Sequence, residues 1–144
     1  MGRIWIPLCF AALACFSPNA FGGEKESVFA GKVVSQKKAG QFALATVDGK
    51  TYPLIDDDRS RMFFEEPGLR GRSMRLTGRL EKGALRVTSV QSVVDGKVHD
   101  VYYWCDACEL GYFRSGKCHC CGAKVKLLEV EVGTSLKPAL SVPD

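Results

Sequence analysis

The sequence lacks a large excess of charge of either sign. Twenty basic and 16 acidic residues leave a formal net charge of +4, which is too small to argue by itself for nucleic-acid binding. No Ser/His/Asp set and no paired-carboxylate set is evident, so we do not expect an enzyme. Hydrophobic residues make up 46% of the 144 positions, which argues against global disorder and is enough for one core.

Long apolar runs are also missing, except at the N-terminus. Arg3 precedes an apolar run from Ile4 to Phe16 that only one proline interrupts. This run is too short to span a bilayer and is typical of the hydrophobic region of a signal peptide. Ala20-Phe21-Gly22 offers small residues at a signal-peptidase site. We therefore predict a signal peptide over residues 1–22 and export to the periplasm or the extracellular space, with no transmembrane segment left after cleavage.

Two other interpretations of this N-terminal segment remain open. Leu13-Ala14-Cys15 resembles a bacterial lipoprotein box, but Ala12 stands where leucine is usual. We therefore do not favour a lipid anchor at Cys15. A buried N-terminal helix is the second alternative, although nothing downstream resembles a helical partner for it.

Cysteine is absent from most of the predicted mature chain. Cys9 and Cys15 leave with the signal peptide, and all five remaining cysteines fall between residues 105 and 121. An exported protein that depends on disulfides usually spreads its cysteines across the fold. The clustering therefore favours a local cysteine site.

The clustered cysteines form two C-x-x-C knuckles. Cys105-Asp106-Ala107-Cys108 and Cys118-His119-Cys120-Cys121-Gly122 are separated by nine residues. A knuckle is a tight turn that directs two sulfurs at one point, so two knuckles supply four soft ligands at tetrahedral corners. Zinc favours such a set, and iron also accepts it. The predicted metal ligands are Cys105, Cys108, Cys118 and Cys121.

Three alternatives apply to these residues. The thiols could form two disulfides, although bonds within each C-x-x-C would close very small loops and add little stability. His119 could replace one sulfur, although a side chain inside a knuckle usually points outward. The C-x-x-C-G turn uses Cys118 and Cys121 and does not need Cys120. Cys120 is therefore either a cysteine without a role at the metal or a reactive thiol.

Turn signals divide residues 28–94 into short segments. The stretch from Ser73 to Leu80 alternates strictly between apolar and polar positions, which is the period of a half-buried strand. Asp48-Gly49 is a strong hairpin signal. The predicted strands are 28–34, 41–47, 51–55, 73–80 and 84–94, and the predicted helix is 59–66.

The order of these segments resembles that of a known fold. Three strands, a short helix and a hairpin follow one another as in an OB-fold barrel. The supporting residues are Phe29-Ala30-Gly31-Lys32-Val33 and the run from Gly71 to Gly78. The stretch resembles small exported bacterial OB-like domains, which implies a mainly β chain with an OB-like β-barrel over residues 23–99. A different small barrel or sandwich is the alternative.

The C-terminal part resembles a zinc ribbon or a rubredoxin-type knuckle pair. An aromatic strand at 101–104 leads into the first cysteine, and an alternating strand at 125–132 follows the last one. The resemblance implies a zinc-ribbon-like appendage over residues 100–132. Residues 133–144 hold two prolines and two serines and are predicted to be a flexible tail.

Several polar residues outside the knuckles are candidate sites. We interpret Asp56, Asp57 and Asp58 as helix-capping residues rather than a cation site, and His99 as a solvated surface residue. Arg70, Arg72, Arg75 and Arg79 lie on or near one strand face. They could contact phosphate, but we interpret them as ordinary edge and solvent-face charges.

These features together predict an exported, monomeric, non-enzymatic protein with a structural zinc ion, which acts as a binding module for a protein partner in the periplasm or at the cell surface. Two alternatives come from other classes. The OB-like face could bind nucleic acid or an oligosaccharide, although export argues against nucleic acid. Cys120 and a labile zinc ion could instead handle metal or thiols.

Export gives the first testable prediction. The mature protein should begin near Gly23, because the apolar run ends at small residues suited to signal peptidase. N-terminal sequencing of protein from its native host measures this directly. An intact Met1, or a lipid on a new N-terminal Cys15, would contradict the prediction.

Overall fold

The structure is a computed structural model that describes residues 25–134. The predicted signal peptide at 1–22 and residues 135–144 of the predicted tail lie outside the described residues. Eight strands, one α-helix (α1) and one 3-10 helix make up the regular structure of the described part. Their bounds are β1 Ser27–Ser35, β2 Phe42–Thr46, β3 Thr51–Pro53, α1 Arg61–Glu65, the 3-10 helix Pro67–Leu69, β4 Ser73–Glu81, β5 Ala84–Val94, β6 Lys97–Cys105, β7 Leu110–Tyr112 and β8 Lys126–Glu131.

The strands form one antiparallel sheet. Their order is β3-β2-β1-β4-β5-β6-β7, and β8 pairs with β6. The prediction of a mainly β chain is confirmed. Between residues 25 and 134, no helix has the length and apolar character needed to cross a membrane.

Alternation in β4 determines which face meets the core. Met74, Leu76 and Gly78 are buried, whereas Ser73 and Arg75 are exposed, as the period of a strand requires. The buried side chains form one continuous cluster that extends from β1 to the last knuckle. Its members are Val33, Phe42, Leu44, Leu54, Met62, Phe63, Leu69, Met74, Leu76, Leu85, Val87, Val90, Val101, Tyr103, Cys105, Cys118 and Val125.

The strand pairing contradicts the expected closed barrel. The end of β3 approaches β5 through an isolated parallel bridge between Leu54 and Leu85, and the Ile55 N–H donates to the Leu85 carbonyl at 3.0 Å. No ladder joins these strands, so the sheet is not closed into a barrel. The physical reason is that β3 has only three residues and ends at Pro53, which has no N–H to donate to a ladder.

One strand crosses the predicted boundary between residues 99 and 100. The first part of β6 pairs with β5 from Lys97 to Asp100. Its second part pairs with β7 from Tyr103 to Cys105, and β8 lies along its other edge from His99 to Trp104. The division into two modules stays a prediction, but both predicted parts share β6.

The acidic turn before α1 does not cap the helix as expected: the N-cap residue is Ser60, and no side-chain hydrogen bond caps α1. The Asp57 Oδ1 accepts hydrogen bonds from the backbone N–H groups of Arg59 and Ser60, both at 3.1 Å. These bonds order the turn that leads into α1, because an aspartate side chain can accept from backbone N–H groups two and three residues further on. The helix itself is shorter than the predicted 59–66.

Arg70 and Arg72 differ from the expected solvent-face charges. Arg70 donates to the carbonyls of Phe63 and Phe64 at 2.7 and 2.8 Å. Arg72 forms a bidentate pair with Glu129 of β8 at 2.6 and 2.8 Å. Arg70 therefore holds α1 against the chain that follows it, and Arg72 joins two distant segments, whereas Arg75 and Arg79 are exposed.

His99 also differs from its expected surface position. It is half-buried and pairs opposite the buried Ser92, whose hydroxyl donates to Glu129 at 2.5 Å. Its Nδ1 atom is buried without a hydrogen-bond partner among the described residues. Together with Arg72, these side chains form a polar cluster at one end of the core.

Gly31 gives a prediction about packing between β1 and β2. A Cβ atom at this position would lie 2.2 Å from the Ala45 carbonyl oxygen and 2.8 Å from the Thr46 Cα, so Gly31→Ala forces the backbones apart. We expect a loss of about 1–3 kcal/mol in the free energy of unfolding, measured by chemical denaturation. Gly68→Ala is the matched control, because nothing lies within 4 Å of its Cβ position. Equal stabilities of the two variants would contradict the packing argument.

Candidate metal centre

The first knuckle is the tip of the β6–β7 hairpin. Cys105 ends β6 and pairs with Leu110 at the start of β7, so Cys108 lies in the connecting turn. Glu109 follows with φ 53°, a left-handed conformation that non-glycine residues adopt rarely. The left-handed residue lets the chain turn back immediately after the second sulfur.

The second knuckle lies on a second small hairpin. Lys117 and Lys124 form an antiparallel bridge, and the Cys118 N–H donates to the Ala123 carbonyl at 2.7 Å. Gly122 follows Cys121 with φ 73°, so it occupies the place that Glu109 takes in the first knuckle. The two knuckles therefore share one backbone design.

The two hairpin tips bring four sulfur atoms together. The Sγ atoms of Cys105, Cys108, Cys118 and Cys121 all lie within 4.8 Å of one another. Those of Cys105 and Cys121 are 3.5 Å apart, and all five described cysteines are free thiols. A tetrahedral ion at a metal–sulfur distance of ~2.3 Å separates its ligand sulfurs by ~3.8 Å. The spacing therefore fits a four-thiolate metal site.

Burial differs among the four sulfur-bearing residues. Cys105 and Cys118 are 1% and 2% exposed and belong to the hydrophobic core cluster. Cys108 is half-buried and Cys121 is exposed. The candidate centre thus has one side in the core and one side towards solvent.

Backbone amides are directed at the two buried sulfurs. The Cys105 sulfur accepts hydrogen bonds from the N–H groups of Cys108 and Ala107. The Cys118 sulfur accepts them from Cys121 and Cys120. Such bonds favour the thiolate, which is the form that binds metal.

Tyr112 is a functional residue that the sequence interpretation missed. Its hydroxyl donates to the Cys118 sulfur at 3.1 Å. This hydrogen bond is the largest cause that lowers the pKa of Cys118 to about 6, and it raises the pKa of Tyr112 to about 12. Tyr112 therefore stabilises the Cys118 thiolate and orients it from outside the ligand set. The signal in the sequence is the aromatic pair Tyr112-Phe113 in the spacer between the two knuckles.

His119 and Cys120 lie outside the group of four mutually close sulfurs. The His119 ring packs against the Tyr112 ring at a centroid distance of 5.7 Å. Cys120 is exposed, as expected for a side chain on the outer side of the knuckle. The pKa of the Cys108 thiol is raised, chiefly by its interaction with the Cys120 thiol.

The spacer between the knuckles docks on the segment around α1. The Arg59 guanidinium lies 3.4 Å from the centre of the Phe113 ring, a favourable cation–π geometry. Arg114 pairs with Asp58, and the Ser115 hydroxyl donates to Glu65 at 2.6 Å. Three consecutive spacer residues therefore contact the first half of the chain.

A charged cleft of ≈ 510 Å³ lies beside this contact. Its walls include the acidic turn, residues 86–88 of β5 and Arg114. Arg61 pairs with Asp56 and Arg86 with Asp57, both at 3.1 Å. Because the opposite charges in its walls pair with one another, the cleft gives no clear preference for a cation or an anion.

Comparison with known proteins finds no relative of this chain. No protein family matches it, and neither a curated protein nor a solved structure shows significant similarity.

Tyr112→Phe tests the hydrogen bond to Cys118. Without it the pKa of Cys118 should rise from about 6 towards the ordinary thiol value, so metal uptake should require higher pH. The loss should be largest below about pH 6, shrink between the two pKa values and vanish well above the ordinary one, where the thiol ionises unaided. Near neutral pH we expect metal affinity to fall by about 10-fold or more, measured by chelator competition across pH.

Tyr52→Phe is the control for this experiment. Tyr52 packs against Phe29 at the β3 end of the sheet and has no place in the centre. The same pH profile for wild type and Tyr112→Phe would show that the hydroxyl does not act on Cys118.

Proposed function

We propose that this chain is an exported, non-enzymatic protein in which a structural zinc ion fastens two hairpin tips to the sheet and stabilises a binding module. The observation that carries the proposal is the set of four sulfurs within 4.8 Å of one another. Their ligand type is soft and their number is four, the combination that zinc favours in structural sites. Iron is the second metal that accepts this set.

The coordination number supports a structural rather than a catalytic role. Catalytic zinc sites keep one position open for water or substrate. In the proposed centre Cys105, Cys108, Cys118 and Cys121 occupy all four positions. The ion would then act by closing the two hairpins, with no direct role in chemistry.

The contacts of the spacer support a role in shaping the rest of the protein. Phe113, Arg114 and Ser115 lie between the two knuckles and contact Arg59, Asp58 and Glu65. Metal binding fixes both ends of this spacer, so it also fixes these contacts. Because site formation and folding are linked, the binding free energy contributes to stability.

The strand arrangement supports an OB-like unit as the first half of the module. β1 pairs with both β2 and β4, and α1 lies between β3 and β4. The Leu54–Leu85 bridge brings β3 next to β5 in parallel. This is the neighbour pattern of an OB-fold, here with an incomplete closing ladder.

A protein partner outside the cytoplasm fits the charge of the predicted mature chain. Removal of the signal peptide takes away Arg3 and lowers the formal charge from +4 to +3. Four thiolates around one Zn²⁺ lower it further, so the mature protein would be close to neutral. A near-neutral surface does not supply the basic patch that nucleic-acid binding requires, and we propose a monomer that binds another protein.

Elemental analysis and unfolding test the proposed metal role together. The purified protein should contain one Zn²⁺ per chain, and chelation should lower its melting temperature by about 4–8 °C for each kcal/mol lost. Cys105→Ser should retain little zinc and should not respond to chelator. Ser27→Ala, on an exposed strand position, is the matched control and should respond like wild type. A metal-free protein with two disulfides by mass would overturn the proposal.

A further inference from the structure

Strand β6 has an apolar face on the side of the sheet away from the core. Val101, Tyr103 and Cys105 belong to the core cluster, so alternation directs Tyr102 and Trp104 to the opposite side. Tyr102 is 6% exposed, although it is not part of that cluster. Its ring meets the Trp104 ring edge-on, at a centroid distance of 6.3 Å. Two aromatic side chains therefore pack on a side of the sheet that the core does not use.

Residues of β8 extend this apolar side. Leu127 packs against the core, so Leu128 and Val130 point the other way by the two-residue period of a strand. Leu128 lies directly opposite Tyr102 in the pairing of β8 with β6. We call this surface the outer face, and its residues are Val98, Tyr102, Trp104, Leu128, Val130 and Val132.

No second layer of structure covers the outer face within residues 25–134. All eight strands of this part belong to one sheet, and α1 and the 3-10 helix bury their apolar residues in the core cluster. Val132 is 50% exposed, and Val98, Trp104 and Leu128 are half-buried. A contiguous apolar surface of this kind usually marks a place where another segment or molecule binds.

The chain leaves β8 through a turn at the edge of the outer face. The Thr134 N–H donates to the Glu131 carbonyl at 3.2 Å, which closes a four-residue β-turn. Gly133, its third residue, has φ 98°, a conformation that glycine adopts readily. Because a β-turn reverses the direction of the chain, the following segment begins beside Val132 and is directed back along β8 towards Trp104.

The sequence of residues 135–144 has the pattern of an extended segment with one apolar side. Every second residue is apolar, and the apolar ones are Leu136, Pro138, Leu140 and Val142. Alternate residues of an extended chain share one side, and prolines favour extended backbone over helix. Ten extended residues span at most about 33–36 Å, whereas the six residues of β8 span about 20 Å. The segment is therefore long enough to reach Trp104.

We propose that residues 135–144 lie back across the outer face as an extended strap, with their apolar side against Leu128 and the two aromatic rings. The other side of β8 suits this segment less, because Glu131 pairs there with Lys97 at 3.1 Å. The inference goes beyond the proposed function and does not depend on a bound metal. The strap replaces the flexible tail that composition alone predicts, and a partner that uses the outer face has to displace it.

The fluorescence of Trp104 tests the strap. Trp104 is the single tryptophan of the predicted mature chain, because Trp5 lies in the predicted signal peptide. In the full mature chain, Leu136→Ser/Leu140→Ser removes two apolar contacts and should release the strap. The emission maximum of Trp104 should then shift to longer wavelength, and its quenching by acrylamide should increase, because water and quencher reach the ring.

Lys137→Ala/Ser141→Ala is the matched control, since it alters the opposite side of the strap, and it should keep wild-type emission. Metal content is kept equal in all three proteins, because Trp104 adjoins Cys105. Wild-type emission in the leucine variant, or an equal shift in both variants, would overturn the inference. Emission that depends on protein concentration and not on the leucines would overturn it as well, because a second copy of the chain would then cover the outer face.

Discussion

Four cysteine sulfurs that lie within 4.8 Å of one another can all ionise only if a cation offsets the repulsion between the thiolates, and this constraint organises the C-terminal part of the chain. At such distances each pair of like charges repels by several kcal/mol at an intermediate dielectric. Backbone amides and the Tyr112 hydroxyl relieve part of the charge on Cys105 and Cys118. A divalent metal bound by the four sulfurs would remove the rest and close both hairpins at once.

The candidate centre is continuous with the hydrophobic core. Cys105 follows Tyr103 on the same face of β6, and both residues pack in the cluster that begins with Val33 of β1. The sheet therefore reaches the ligands without an intervening linker. The spacer adds a second connection, since Phe113 and Arg114 contact the turn before α1. A change at the metal would reach the first half of the chain by both paths.

Features that depend on local sequence patterns were predicted well, whereas pairings between distant residues were not. The knuckle spacing predicted which four cysteines lie together, because each C-x-x-C turn fixes its own geometry. The alternation in β4 predicted its buried face. By contrast, strand β7 was not predicted, because three residues are too few to show a periodic pattern. The contact of Tyr112 with Cys118 was therefore missed as well. The pairing of Arg72 with Glu129, 57 residues away, has no local signature. The prediction of a closed barrel was wrong for the same reason, since closure depends on how β3 pairs with β5.

The asymmetry of the centre follows from the same architecture. β6 carries Cys105 directly into the core, and the Tyr112 hydroxyl holds Cys118 there. The remaining corners lie in the two turns, where no strand supports them. A purely structural ion is best protected when all its ligands are buried, because water and competing ligands are then excluded. Here the fold buries two sulfurs and leaves Cys108, Cys121 and the extra Cys120 towards solvent. The arrangement would hold a metal ion from the core side and leave the side formed by the two turns accessible to solvent.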